Sequence, residues 1–338
     1  MVVVLPRLRG RSIRGKNSAN VPSPIVPTVE GIGGSGRSHL CVWIYDVRMP
    51  PTTSSSSPAQ QLRERLQRPG ILVMPGCHDA MSARLIQESG FEIGFMSGFA
   101  VSGSRLGMPD AGLISYGELV DQGANICRAV TIPMIGDGDT GFGSAQNVKR
   151  TVHGYARAGF ACIMLEDQVA PKRCGHTEGK SVVARDEALM RIRAAVDARD
   201  AGDDILIMAR TDARVESLDE AITRCRMFRE IGADITFLEA PTDEREMRRY
   251  CSEVDGPKMA NLTEGGKTPL LPPARLEEIG YAIAVYPLSL LNVSIQAMRA
   301  ALASLRTGER PAAAMEFDEL KRAVGFPEYY AEEARYKA

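Results

Sequence analysis

From residue 62 onward the chain alternates short apolar runs with amphipathic helical patterns, and this rhythm constrains its fold more than any other feature. The runs lie at 71–74, 93–96, 132–135, 162–165, 205–209, 235–238, 258–260 and 281–285. Helical periodicity fills the intervals at 80–88, 116–128, 144–158, 185–200, 218–231, 244–253 and 273–279, and again at 290–305. The runs are apolar at nearly every position, so both faces of each strand are buried, as in a parallel sheet covered by helices. Eight such units predict an α/β fold, a closed (β/α)8 barrel of the TIM type, since an open doubly wound sheet usually has fewer strands. A barrel of this kind takes about 250 residues, so residues 62–338 are expected to form one catalytic domain. The long interval between the second and third runs leaves room for an extra short helix or loop near 100–115.

Residues 1–61 follow other rules. They are basic and rich in Ser, Pro and Gly, with Glu30 and Asp46 as their acids and a run Ser54-Ser55-Ser56-Ser57. Such a segment is expected to be a disordered or targeting extension, and its composition is that of a mitochondrial or chloroplast transit peptide. It lacks a clear amphipathic helix, and a start at Met49 would instead leave a cytoplasmic protein. The net charge of −1, with no basic face, argues against a nucleic-acid partner. No apolar run approaches the roughly 20 residues that span a bilayer. The seven cysteines are scattered and odd in number, which reads as reduced thiols and not a disulfide framework.

Chemistry is concentrated where the strands end. Read in order, those ends deliver Pro75-Gly76, Ser97-Gly98, Asp137 with Asp139, Glu166, Arg210 with Asp212, Glu239, Asn261 and Pro287. Barrel enzymes assemble their sites at that face. So many acids in one mouth repel unless a cation offsets them. The run Gly136-Asp137-Gly138-Asp139-Thr140-Gly141-Phe142-Gly143 can turn two carboxylates toward one ion, and all-oxygen ligands suit Mg2+ or Mn2+. The same octapeptide also reads as an Asp/Gly-rich turn. From Ile163 to His176 an apolar run stops at Glu166 and Asp167 and feeds the basic loop Lys172-Arg173-Cys174-Gly175-His176. Neighbouring cations favour a thiolate, and glycine lets backbone approach a ligand; a salt-bridged surface loop with an incidental cysteine is the bland alternative. The lone histidines His78 and His153 read as structural.

Six segments together resemble the isocitrate lyase/phosphoenolpyruvate mutase superfamily: 106–110 (Leu-Gly-Met-Pro-Asp), 137–143 (Asp-Gly-Asp-Thr-Gly-Phe-Gly), 165–168 (Leu-Glu-Asp-Gln), 172–176 (Lys-Arg-Cys-Gly-His), 209–213 (Ala-Arg-Thr-Asp-Ala) and 261–269 (Asn-Leu-Thr-Glu-Gly-Gly-Lys-Thr-Pro). The nearest branch is the group of 2-methylisocitrate lyases, 2,3-dimethylmalate lyases and petal death proteins, often labelled carboxyvinyl-carboxyphosphonate phosphorylmutases. The resemblance implies a homotetramer that swaps its last helix between subunits and a Mg2+-dependent lyase acting on a C–C bond of a 2-hydroxy dicarboxylate. It implies that Ser97, Gly98 and Phe99 hold a substrate carboxylate, and that Asp137 and Asp139 bind Mg2+ with Asp110 and Glu166 in the outer shell. It implies further that Arg210, Glu239, Asn261 and Thr263 complete the substrate site and that Cys174 and Gly175 ride on a mobile loop. Cys174 would protonate the leaving fragment, with Arg210 and Glu166 in the catalytic set and His176 tuning the thiol or anchoring its loop.

Departures from the family pattern shape the substrate expectation. Phe95 stands where related lyases often have a Tyr that is a candidate base, Asn292 falls by count where methylisocitrate lyases carry an Arg, and Pro287 replaces a Ser of oxaloacetate hydrolases. The expected substrate is therefore a 2-alkylmalate such as 2,3-dimethylmalate, giving a 2-keto acid such as pyruvate plus a carboxylate. Alternatives are a 2-methylisocitrate lyase, an oxaloacetate hydrolase and a carboxyvinyl-carboxyphosphonate phosphonomutase. The last would usually carry Asn in place of Cys-Gly-His.

Overall fold

The computed structural model describes residues 56–175 and 179–337. Among them the chain forms eight parallel strands: β1 (Leu72–Cys77), β2 (Gly94–Met96), β3 (Met134–Asp137), β4 (Cys162–Glu166), β5 (Leu206–Thr211), β6 (Ile235–Leu238), β7 (Met259–Asn261) and β8 (Ile283–Tyr286). They pair in the order β6-β5-β4-β3-β2-β1-β8-β7. The ring closes between β6 and β7 through one parallel bridge, Thr236 with Lys258, where the Thr236 N–H donates to the Pro257 carbonyl over 3.1 Å. The expected barrel is thus the observed one.

The helices are α1 (Pro58–Leu66), α2 (Ala80–Glu88), α3 (Gly98–Val101), α4 (Tyr116–Ala129), α5 (Ala145–Ala158), α6 (Arg185–Asp200), α7 (Leu218–Ile231), α8 (Glu244–Glu253), α9 (Pro273–Ile279), α10 (Ser289–Arg306), α11 (Phe317–Ala323) and α12 (Phe326–Ala334). Their starts are written in local chemistry. Asp79 accepts the Ser82 N–H at 2.7 Å ahead of α2, and Ser115 and Glu118 cap each other's backbone ahead of α4. The short α3 and a π-helical turn at Ser102–Leu106 occupy the long interval between β2 and β3.

The barrel begins ahead of residue 62. Pro58 opens α1 behind Ser57, whose Oγ accepts the Gln60 N–H at 3.1 Å. A serine cap and a proline in the first turn are favourable helix starts, although the same residues read as linker by composition. Ala59 and Leu62 are fully buried in one cluster with Met74, Ile93, Ile135, Cys162, Leu206 and Ile235. Arg63 pairs with Asp204, just before β5, at 2.9 Å. Helix α1 therefore stoppers the end of the barrel where the strands begin. Phe95, Met164, Phe237 and Val285 of the same cluster reach the opposite end and floor a cavity there.

The C-terminal helices behave differently. Among the described residues Leu291 alone is buried in α10, and α11 and α12 bury none. Val293, Met298, Leu302, Leu305 and Phe317 lie exposed, as do Tyr329 and Tyr330. An apolar depression on the barrel wall, lined by Val73, Leu85, Ile86, Phe91 and Tyr286, is left uncovered beside them.

Candidate active site

At the C-terminal end of β3, Asp137 is held on both carboxylate oxygens. The Gly98 N–H donates to one at 3.2 Å and the Asp139 N–H to the other at 3.0 Å, while the Tyr155 hydroxyl donates to the Asp137 carbonyl at 2.5 Å. A Cβ on Gly98 would sit 2.5 Å from Asp137 Oδ2, so this approach requires glycine. Asp139 adopts φ 50°, a left-handed conformation that aspartate tolerates better than most residues. Its carbonyl accepts the Glu166 N–H at 2.9 Å, which ties the ends of β3 and β4 together.

Lys172 is the cation of this corner. Its ammonium lies 2.7 Å from both Asp110 and Asp139, and all three side chains are about 5 % exposed or less. Burial pushes the Asp139 carboxyl up to about 6, against the pull of Lys172 and with further push from Asp137 and Asp110. Burial alone would lower Lys172, but Asp139, Asp137, Glu166 and Asp110 together hold it well above the usual lysine value.

Arg210, at the end of β5, is the second centre. Its Nε lies 2.9 Å from Asp212 and 3.2 Å from Glu166, its Nη2 lies 3.2 Å from Glu239, and its guanidinium sits 5.2 Å from the Phe237 ring centre. Burial dominates at Glu166 and raises its carboxyl well above the ordinary range, although Arg210 and Lys172 oppose it. Glu166 Oε1 has no hydrogen-bond partner among the described residues, and its Oε2 meets Arg210 as an ion pair without hydrogen-bond geometry. Asp212 is also buried, yet Arg210 and Lys180 pull its carboxyl below the usual value. Lys180 reaches Asp212 and the Gly175 carbonyl, each at 2.6 Å. Asp167, one residue beyond β4, completes this side by accepting from Thr211 at 2.6 Å, the Asp212 N–H at 2.8 Å and Arg224 at 2.9 Å.

The thiol arrives from the loop after β4. Gln168 accepts the Arg173 N–H at 2.9 Å and donates to the Arg173 carbonyl at 2.8 Å, fixing the loop just before Cys174. Gly175 then lies against Arg210 and Glu239; a Cβ there would come 2.6 Å from the Glu239 carboxyl carbon. Opposite, Asn261 donates to Glu239 at 3.2 Å, and the Thr263 hydroxyl donates to Asn261 at 3.5 Å.

These groups surround a cavity of about 40 Å3. Ser97, Phe99, Asp110, Asp137, Cys174, Gly175, Arg210, Glu239, Asn261 and Thr263 all line it, so the structure brings together most of the residues singled out in the sequence. Gly98, Asp139 and Glu166 stand directly behind this lining, and the Gly98 N–H serves to orient Asp137. His176 lies outside the described residues. Asn292 is exposed on α10, and Pro287 and Leu288 line the cavity at the β8 end. Lys172, Lys180 and Asp212 carry more of the site than their sequence context suggested.

The donor set fits a hard divalent cation. The buried acids Asp110, Asp137, Asp139, Glu166, Asp212 and Glu239 outnumber the buried cations Lys172, Lys180 and Arg210, and an added positive charge relieves that excess. No group of three or more His, Cys, Asp or Glu among the described residues is close enough to cage a metal unaided. An ion held by one or two carboxylates, with water and substrate completing its shell, matches the habits of Mg2+.

The chain is similar to known proteins over most of its length. The profile of the phosphoenolpyruvate phosphomutase family matches residues 62–306. The chain is 45% identical over 259 residues to the 2,3-dimethylmalate lyase of Eubacterium barkeri, covering 76% of this chain and 89% of that one. The crystal structure of a 2,3-dimethylmalate lyase superposes with a TM-score of 0.79 at 34% identity, covering 83% of this chain and 96% of the other. A phosphonopyruvate hydrolase solved with oxalate and Mg2+ superposes with a TM-score of 0.74 at 28% identity, covering 83% and 99%.

Proposed function

Because the chain belongs to the phosphoenolpyruvate phosphomutase family, within the PEP mutase/isocitrate lyase superfamily, we propose that it is a Mg2+-dependent carbon–carbon lyase that cleaves a 2-alkylmalate such as 2,3-dimethylmalate to pyruvate and a monocarboxylate. The observation that carries this reading is that Cys174 and Arg210 line one cavity together with an apolar β8 end of Val285, Pro287 and Leu288. A thiol at that place can deliver a proton to carbon. The apolar wall suits alkyl substituents and offers no cation to a third carboxylate, whose unpaired burial would cost several kcal/mol.

Asp137 and Asp139 would hold Mg2+, and the ion when bound lowers the pKa of the substrate 2-hydroxyl and steadies the emerging keto acid. Ser97 and Phe99, both on the cavity lining, would hold the substrate carboxylate. Arg210 supplies a planar, two-pronged donor to the charge that develops as the C2–C3 bond breaks. That bond's electron pair passes to C3, the hydroxyl proton passes to solvent water, C2 becomes a ketone, and the Cys174 thiol protonates C3 and regains its own proton from solvent. Glu166, whose carboxyl burial raises well above the ordinary range against the pull of Arg210 and Lys172, stands 3.2 Å from Arg210.

The exposed apolar residues of α10 and the uncovered depression between β1, α2 and β8 support a homotetramer that exchanges C-terminal helices between subunits. The composition of residues 1–61 supports an organellar address. No helix among the described residues is long and apolar enough to cross a membrane.

The deciding experiment measures keto-acid release from a panel of 2-hydroxy dicarboxylates, methylisocitrate and oxaloacetate, with Mg2+ and after chelation. A 2-alkylmalate is expected to give the highest kcat/KM, and only with the metal. A higher kcat/KM for methylisocitrate than for every dicarboxylate would reject the alkylmalate reading, and full activity after chelation would reject the metal.

A further inference from the structure

We propose that Lys180 is a positioning residue, which holds the Cys174–Gly175 backbone against Arg210 by bridging the Gly175 carbonyl and the Asp212 carboxylate. Its side chain is 3% exposed, and both oxygens lie 2.6 Å from its ammonium. Asp212 in turn holds Arg210 at 2.9 Å and receives its own backbone restraint from Asp167. One buried cation therefore joins the loop that bears the thiol to the strand end that bears the guanidinium.

A merely structural role explains this arrangement poorly. Burying an ammonium costs free energy that an apolar side chain of similar volume would not incur. Both acceptors of this ammonium belong to the site, and it neither lines the cavity nor reaches its contents. Its effect is on distance. Gly175 already touches Arg210 and Glu239 too closely to admit a Cβ, so the loop has one tight seating, and releasing its carbonyl removes the tether. A misplacement of about 1 Å costs about 10²-fold in rate. The inference rests on the reading of Cys174 as proton donor only for its effect on turnover.

The test is Lys180→Met in the full-length enzyme, read in two ways. The first is the rate at which iodoacetamide alkylates Cys174, resolved by peptide mass spectrometry well below the thermal midpoint. The second is kcat and KM on the best 2-hydroxy dicarboxylate of the panel. Alkylation of Cys174 is expected to quicken several-fold and kcat to fall about 10²-fold with KM little changed. Lys180→Arg, which keeps the cation, is expected to restore much of both. Native alkylation and native kcat in Lys180→Met overturn the proposal. If that variant does not fold, Lys180→Gln takes its place, and the same two measurements support or overturn the tether in the same way. Cys174→Ser separates the two ideas: full turnover in that variant removes the thiol from the chemistry, whereas faster alkylation of Cys174 in Lys180→Met still establishes the tether.

Discussion

Cys174 and Asp139 are the single residues on which the chemistry turns. In Cys174→Ser the donor keeps its size, but its pKa rises by several units, so proton delivery to carbon should slow far more than binding weakens. A fall in kcat of about 10²-fold or more is expected, the lower end of what general acids contribute, with KM nearly unchanged in steady-state assays. Asp139→Asn removes one charge facing Lys172 and any bound cation. Mg2+ affinity, measured by titration calorimetry, should drop by at least about tenfold, as it does when even an outer-shell partner is lost; unchanged affinity would take Asp139 out of the metal site. These residues could be read in the sequence because Asp139 follows the apolar run at 132–135 and Cys174 sits in the basic loop that the run at 162–165 feeds. Lys172 and Lys180 could not, since they acquire their roles from Asp110 and Asp212, 62 and 32 positions away. Nothing local to either lysine marks it as buried.

Among the elements, α1 shows best what apolar periodicity conveys and what it leaves out. The strands were visible as unbroken apolar runs, and α2, α6, α7, α8 and α9 as helical patterns with the bounds observed in the fold. Helix α1 hid in a Ser/Pro-rich stretch, where its cap looked like linker and only Ala59 and Leu62 are buried, with Leu66 packed at the edge of the core. Helices α11 and α12 escaped for a related reason: a helix that buries nothing in its own chain has no inward stripe to announce it. If α1 seals the barrel, Leu62→Ala leaves a cavity at the strand N-termini. A loss of about 2–5 kcal/mol is expected, the usual range for a buried leucine. Denaturant unfolding measures it, and a loss well under 1 kcal/mol would show that α1 lies loosely on the barrel.

For the whole molecule, the apolar outer face of α10 makes a prediction that the barrel alone does not. Leu302 is 62% exposed, so Leu302→Asp costs the isolated barrel little but places a charge in any contact that face makes. Sedimentation velocity should show the variant shifting toward smaller species with its far-UV circular dichroism intact. An unchanged assembly would take α10 out of the subunit contact. The ring itself adds a consequence in time. Neighbouring strands elsewhere share runs of paired residues, five between β4 and β5, whereas β6 and β7 meet at a single bridge. Amides protected by few bonds open first, so deuterium should enter Met259–Asn261 well before Leu206–Thr211. Glu239 and Asn261 stand on either side of that joint. With exchange in that order, the barrel would open along a line that runs into its own mouth, making the edge of the substrate cavity the slackest part of the ring.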